Sequence, residues 1–146
     1  MRRFFLLALT TGISISIIGC GLQKKEPRNN AKPVIETLVS ATESWNGDAY
    51  SYPKGQAKIT LLRITAPVGF RTPVHTHPQP GVAYVEKGAL ECVVTAKNTK
   101  IFSAGDSFAT TSGDTPHYCE SVGTETAVVF VTYAGVEGEP VTIPIK

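Results

Sequence analysis

Short stretches in which hydrophobic and polar residues alternate make up most of the chain after residue 57. They are rich in Val, Ile, Thr, Tyr and Phe, the side chains that suit a pleated, half-buried strand. The pattern predicts strands at residues 58–65, 82–86, 90–95, 100–102, 107–110, 118–122 and 126–133. Turn signals such as Lys87-Gly88 and Gly105-Asp106 separate them. Short strands at this spacing predict an all-β sandwich or barrel.

Residues 34–44 fit two patterns. Ile35, Leu38 and Val39 would share one face of a helix, whereas the Val and Thr content suits a strand. We predict a strand here.

The first twenty residues have the pattern of an export signal. Arg2 and Arg3 precede a mostly apolar stretch at residues 4–18, which is too short for a good membrane span. The ending, Ile17-Ile18-Gly19-Cys20, resembles a bacterial lipobox, which implies cleavage before Cys20 and a lipid on its sulfur. A plain secretory signal with an incidental cysteine is the alternative. The paired arginines also resemble part of a twin-arginine signal, which would export a folded protein.

The signal divides the chain into three parts and changes its charge. Residues 1–19 are the predicted signal peptide, residues 20–33 a lipidated cysteine with a polar, flexible tether, and residues 34–146 a single domain. The full chain has 14 Lys+Arg and 12 Asp+Glu, and removing Arg2 and Arg3 leaves 12 of each. A neutral domain with interspersed charges is not expected to have the basic surface patch that binds nucleic acid, so we expect no nucleic-acid partner. We expect a lipid anchor on the periplasmic face of the envelope, at the outer membrane if the cell is Gram-negative.

The three histidines of the chain carry its candidate chemistry. His75 and His77 are spaced i, i+2, so both rings would project from one face of a strand. His117 follows a turn-rich loop, and a distant strand could bring it to the other two. Neutral imidazoles that converge on one point commonly hold a divalent transition metal. Fe, Zn, Mn, Cu and Ni are all compatible with such ligands, so the sequence predicts a metal site without naming the ion.

Two motifs around these histidines resemble those of a small single-domain cupin. The first runs from Gly69 through His75-Thr-His77 to Gly88, and the second from Gly105-Asp106 to His117. The resemblance implies a double-stranded β-helix, or jelly-roll barrel, over residues 34–146. It also implies one mononuclear metal centre, with a small-molecule ligand as the partner.

The chain departs from the cupin motifs at one ligand position. The resemblance places a glutamate ligand at residue 81 and an asparagine at residue 121, where this chain has Gly81 and Ser121. Gln79 is the weak candidate substitute, since it could approach only if its loop adjusted. Three neutral histidines would leave the ion its full charge and open positions, the layout of a reactive site. We therefore expect Gly81 to leave open space beside the ion.

Cys92 and Cys119 are the second set of residues with candidate chemistry. Once Cys20 carries lipid, they are an even pair in an oxidising compartment. The resemblance implies that their strands are neighbours. They could form a disulfide, fill the core as small apolar side chains, or supply a soft auxiliary ligand to the metal.

Two classes of function stay open on the sequence. The first is an enzyme, because three-histidine cupins resemble oxygenases that bind a small organic substrate and dioxygen at one iron. The second is a non-enzymatic envelope module that binds a metal or small ligand, or a degenerate cupin without metal. No general base is identifiable beside the histidines, so enzymatic activity is left open. A carboxylate or tyrosine aimed at the open position would favour the enzyme.

Overall fold

The computed structural model describes residues 31–95 and 98–146. Over these residues the chain forms nine strands and no helix, which confirms the all-β prediction. The strands are β1 (Ala57–Ala66), β2 (His75–His77), β3 (Gly81–Lys87), β4 (Ala89–Thr95), β5 (Asn98–Ser103), β6 (Ser107–Ala109), β7 (Gly113–Val122), β8 (Ala127–Val136) and β9 (Ile143–Pro144). All nine belong to the compact unit Ile35–Lys146.

The strands form two antiparallel sheets. One has the order β1-β8-β3-β6 and the other the order β5-β4-β7-β2-β9. Strand alternation sets which side chains are buried: in β3, Ala83 and Val85 are buried while Val82 and Tyr84 are exposed. The buried cluster draws on both sheets and consists of Ala83, Val85, Cys92, Phe102, Phe108, Val129, Val131 and Tyr133.

The predicted strand at residues 34–44 is wrong. This segment forms no regular strand, and its only ladder contact is an isolated bridge between Glu43 and Ala49. Ile35 and Leu38 are largely exposed. A strand needs a neighbouring strand edge to pair with, and Val and Thr content cannot supply one.

Two strand assignments near the histidines also differ from the sequence pattern. β7 begins at Gly113 rather than at residue 118, because its first half pairs with β2. The short strand β9 pairs with the other edge of β2, with Pro144 opposite His75. The segment that carries His75 and His77 is therefore held between two neighbours.

The predicted signal at residues 1–19, Cys20 and the first part of the tether lie outside the described residues. Within the described part of the chain, no helix is long and apolar enough to cross a bilayer.

Candidate metal centre

The three histidines meet on adjacent strands of one sheet. His75 on β2 lies directly opposite His117 on β7, and a register irregularity separates this pair from His77 opposite Gly113. All three side chains are buried. One nitrogen from each ring lies within 4.8 Å of the others. The structure thus brings together the three residues that the sequence proposed as ligands.

Backbone carbonyls fix the tautomer of every ring. The Nδ1–H groups of His75, His77 and His117 donate to the carbonyl oxygens of Pro73 (2.7 Å), Val141 (2.5 Å) and Thr115 (3.1 Å). A carbonyl can only accept, so the proton of each neutral ring must lie on Nδ1. Each Nε2 therefore keeps its lone pair, which is the arrangement found in metal-binding histidines.

The spacing of the Nε2 atoms fits one shared ion. Nε2 of His75 and Nε2 of His77 are 3.2 Å apart, with a lone pair on each and no proton between them. Two nitrogens each about 2.0–2.1 Å from a zinc-sized ion lie about 3 Å apart at ordinary ligand angles. An ion between them would replace the repulsion of two lone pairs with two bonds, so the donor set fits a divalent transition metal.

Burial keeps His77 and His117 in the neutral form that a metal requires. Loss of hydration lowers the pKa of His77 to about 4, against a smaller opposing effect of its bond to Val141. Burial likewise lowers the pKa of His117 to about 4. Both rings are neutral at neutral pH, with their Nε2 lone pairs available.

Tyr133 adds a group that the sequence analysis did not identify. It lies on β8 of the opposite sheet and is buried. Its hydroxyl oxygen is 3.1 Å from Nε2 of His77, and the two rings are 4.8 Å apart between centroids. Because the His77 proton is on Nδ1, the hydroxyl donates to Nε2. Burial raises the pKa of Tyr133. No local sequence motif marks this residue, since its position depends on how the two sheets face each other.

Gly81 does not leave open space beside the histidines, contrary to our expectation. It pairs with Tyr133 in the β3–β8 register. A Cβ atom at Gly81 would lie 2.8 Å from both Thr110 Oγ1 and the Thr132 carbonyl oxygen, and 2.9 Å from the Tyr133 ring. The ring of Tyr133 and its neighbours therefore fill the space that a side chain at position 81 would need.

Gln79 contacts Pro140 and Gly135 rather than the cavity at the histidines. Its side chain is fully buried and occupies the space that a Cβ atom at position 135 would need. Its amide nitrogen donates to the Pro140 carbonyl at 3.3 Å. It is not among the residues that line the cavity at the histidines. Tyr133, rather than Gln79, therefore lies beside position 81.

The histidines form one wall of a cavity of about 260 Å³. Its lining is mainly apolar, with side chains such as Leu62, Phe108 and Val131, and none of the described lining residues is Asp, Glu, Lys or Arg. Two buried hydroxyls in the lining, Thr110 Oγ1 and Thr111 Oγ1, have no hydrogen-bond partner among the described residues. A buried hydroxyl without a partner is costly, so these two positions carry an unsatisfied polar group next to the cavity.

Cys92 and Cys119 also line this cavity, and a disulfide joins them. They lie on the adjacent strands β4 and β7. Of the three alternatives left open by the sequence, the structure has the disulfide, in which both sulfurs are bonded to each other.

Comparison with known proteins agrees with this architecture. Residues 62–133 match the family described as Cupin domain. The DMSP lyase DddQ from Ruegeria pomeroyi is 20% identical with a TM-score of 0.50, and the match covers 59% of this chain and 42% of that one. The polyketide cyclase RemF from Streptomyces resistomycificus is 17% identical with a TM-score of 0.50, over 63% and 64% of the two chains. This chain therefore spans less than two thirds of either protein. No curated protein matches the sequence.

Proposed function

We propose that this cupin domain binds one divalent transition metal at His75, His77 and His117 and acts on a small organic molecule in the adjoining cavity. The observation that carries the proposal is the cluster of three buried imidazoles, which have one nitrogen each within 4.8 Å of the others and an Nδ1–H bond to a backbone carbonyl on every ring. Such fixed donors at the wall of an apolar cavity are typical of a reactive site rather than a closed structural one.

The bound ion would supply Lewis-acid or redox chemistry to a guest molecule. The residues around it supply binding and orientation. The apolar lining favours a neutral or mainly apolar molecule, because no charged side chain is present to offset the desolvation of a charged one. The Tyr133 hydroxyl reaches the histidines from the opposite sheet and lies 3.1 Å from Nε2 of His77.

The cavity beside the histidines favours an enzyme over a passive binding module. A module that only retains a metal does not need space for a guest molecule next to the ion. The reaction class that we propose, from the resemblance of the histidine motifs to those of three-histidine cupins, is a metal-dependent oxidoreductase of the dioxygenase type.

Elemental analysis of protein purified without a metal-affinity tag tests the site directly. We expect about one equivalent of a transition metal per chain, removable by a chelator and restored by titration with Zn²⁺ or Fe²⁺. His75→Ala, His77→Ala and His117→Ala should each weaken binding at least about tenfold. The control is Tyr50→Phe, which removes a hydroxyl from a residue outside the cavity lining. Full binding by all three histidine variants would overturn the proposal.

We also propose that the domain is exported and anchored to the envelope by lipid on Cys20. The support is the lipobox-like ending of the apolar stretch and the polar residues that follow it. The disulfide between Cys92 and Cys119 suits an oxidising compartment.

A further inference from the structure

The geometry points to Tyr133 as the fourth protein ligand of the metal, an oxygen donor that takes the place of the carboxylate absent at position 81. This inference rests on the proposed metal site and adds a residue from the opposite sheet to it.

The first support is the pairing of Gly81 with Tyr133. These two residues are register partners on β3 and β8. A side chain at position 81 would collide with the Tyr133 ring, with Thr110 and with the backbone of Thr132. A glutamate at position 81 and a tyrosine in this orientation at position 133 are therefore mutually exclusive. Glycine is the residue that allows the phenol ring to reach the histidines.

The second support is the distance from the phenol oxygen to the histidine nitrogen. The Tyr133 oxygen is 3.1 Å from Nε2 of His77, while Nε2 of His75 is 3.2 Å from the same atom. Two donors that share a small ion lie about 3 Å apart. The phenol oxygen thus stands in the same relation to His77 as the neighbouring imidazole nitrogen does.

The third support is that the hydroxyl has no other described hydrogen-bond partner. Without an ion, the hydroxyl proton points at the lone pair of His77 Nε2. An ion bound at Nε2 of His77 would leave the phenol oxygen without this hydrogen-bond partner and so available to the ion.

Tyr50 shows what a purely structural tyrosine looks like in this neighbourhood. Its hydroxyl donates to the Thr110 carbonyl at 2.5 Å and lies 3.3 Å from the Gly81 carbonyl. It is not among the residues that line the cavity. Tyr50→Phe therefore removes a half-buried phenol hydroxyl next to Gly81 without touching a histidine, and it is the matched control.

The test is the visible absorption spectrum of the protein loaded with Cu²⁺ or Fe³⁺, with metal content measured on the same samples. A coordinated phenolate gives a charge-transfer band in the visible. We expect this band in the wild type and in Tyr50→Phe, and its loss in Tyr133→Phe, which keeps the ring. Tyr133→Phe should still bind the ion through the histidines, with affinity reduced at least about tenfold.

The outcomes separate this inference from the proposed function. If the wild type and Tyr133→Phe both bind the ion with identical spectra and affinities, Tyr133 is not a ligand, and the three-histidine site stands. If the wild type binds no metal, both the site and the ligand role of Tyr133 are overturned.

Discussion

Cys92 lies directly opposite Cys119 across the β4–β7 pair, with their Cα atoms 4.1 Å apart and their sulfurs joined. Cys119 is two residues from His117 on the same strand, so both side chains face the cavity. The covalent link therefore holds together the two strands that form the wall beside one of the proposed ligands.

Reduction of this disulfide should lower the stability of the domain. The bond closes a loop with a sequence separation of 27 residues. Because the bond restricts the unfolded chain over such a loop, it contributes about 3–4 kcal/mol to the free energy of unfolding. Urea unfolding with and without a dithiol reductant measures the effect, with Cys20→Ser as the background so that only this pair can react. Two free thiols in natively exported, unreduced protein would contradict the expectation.

Acidification should destabilise the metal-free protein between about pH 6.5 and pH 4. Burial lowers the pKa of His77 and His117 to about 4, while the unfolded chain takes up both protons near pH 6.5. In this window the unfolded state binds more protons, so stability falls as pH falls, by about 1.4 kcal/mol per pH unit for each proton. Unfolding midpoints measured with chelator across this range test the slope. His77→Gln/His117→Gln should be flatter, and equal slopes would show that these rings do not carry the effect.

Any side chain at position 81 should destabilise the fold and displace Tyr133. The Cβ of Gly81→Ala would meet three atoms at 2.8–2.9 Å. Overpacking of this kind costs about 1–3 kcal/mol. Because one of the three atoms belongs to the Tyr133 ring, the cost of Gly81→Ala should be smaller in a Tyr133→Ala background. A double-mutant cycle by chemical denaturation measures this coupling. Additive effects would mean that the two residues do not compete for space.

Replacement of Cys20 by Ser should release the protein from the membrane fraction or stall its processing. The expectation follows from the lipobox-like sequence Ile17-Ile18-Gly19-Cys20 and the lipid that it implies. Cell fractionation together with metabolic labelling by a radioactive or clickable fatty acid measures both consequences. The Cys92→Ala/Cys119→Ala variant is the control, since it retains Cys20. Unlabelled wild-type protein, with the same fractionation in the Cys20→Ser variant, would sink the anchor proposal.

Local patterns were enough to predict most strands and the face that His75 and His77 share. A period of two residues places their rings on one side whatever the rest of the fold does. The prediction of a strand at residues 34–44 is wrong, and the sequence pattern does not predict β9. Both depend on which strand edge is free to pair. β9 has only two residues, one of them a proline, and is too short to show an alternation of hydrophobic and polar residues.

The site was only partly predictable because its remaining members come from elsewhere in the fold. The histidines were visible as a motif, whereas Tyr133 contacts His77 from a strand 56 residues away in the opposite sheet. The sequence also predicts free space at Gly81, where the side chain is missing, but the ring of its register partner Tyr133 fills that space.

Val141 and β9, which orient and pair with the histidine strand β2, are synthesised after it. The order of synthesis therefore affects when the metal site can form. His75 and His77 leave the ribosome about sixty-five residues before the carbonyl that orients His77 and the strand that closes the edge of β2. During synthesis the histidines are therefore present before the groups that fix their rings. A nascent chain should bind metal weakly, and tight loading should begin only when the segment from Val141 to Ile145 has docked. The metal affinity of stalled chains that end before residue 141, compared with that of chains that reach residue 146, tests this expectation.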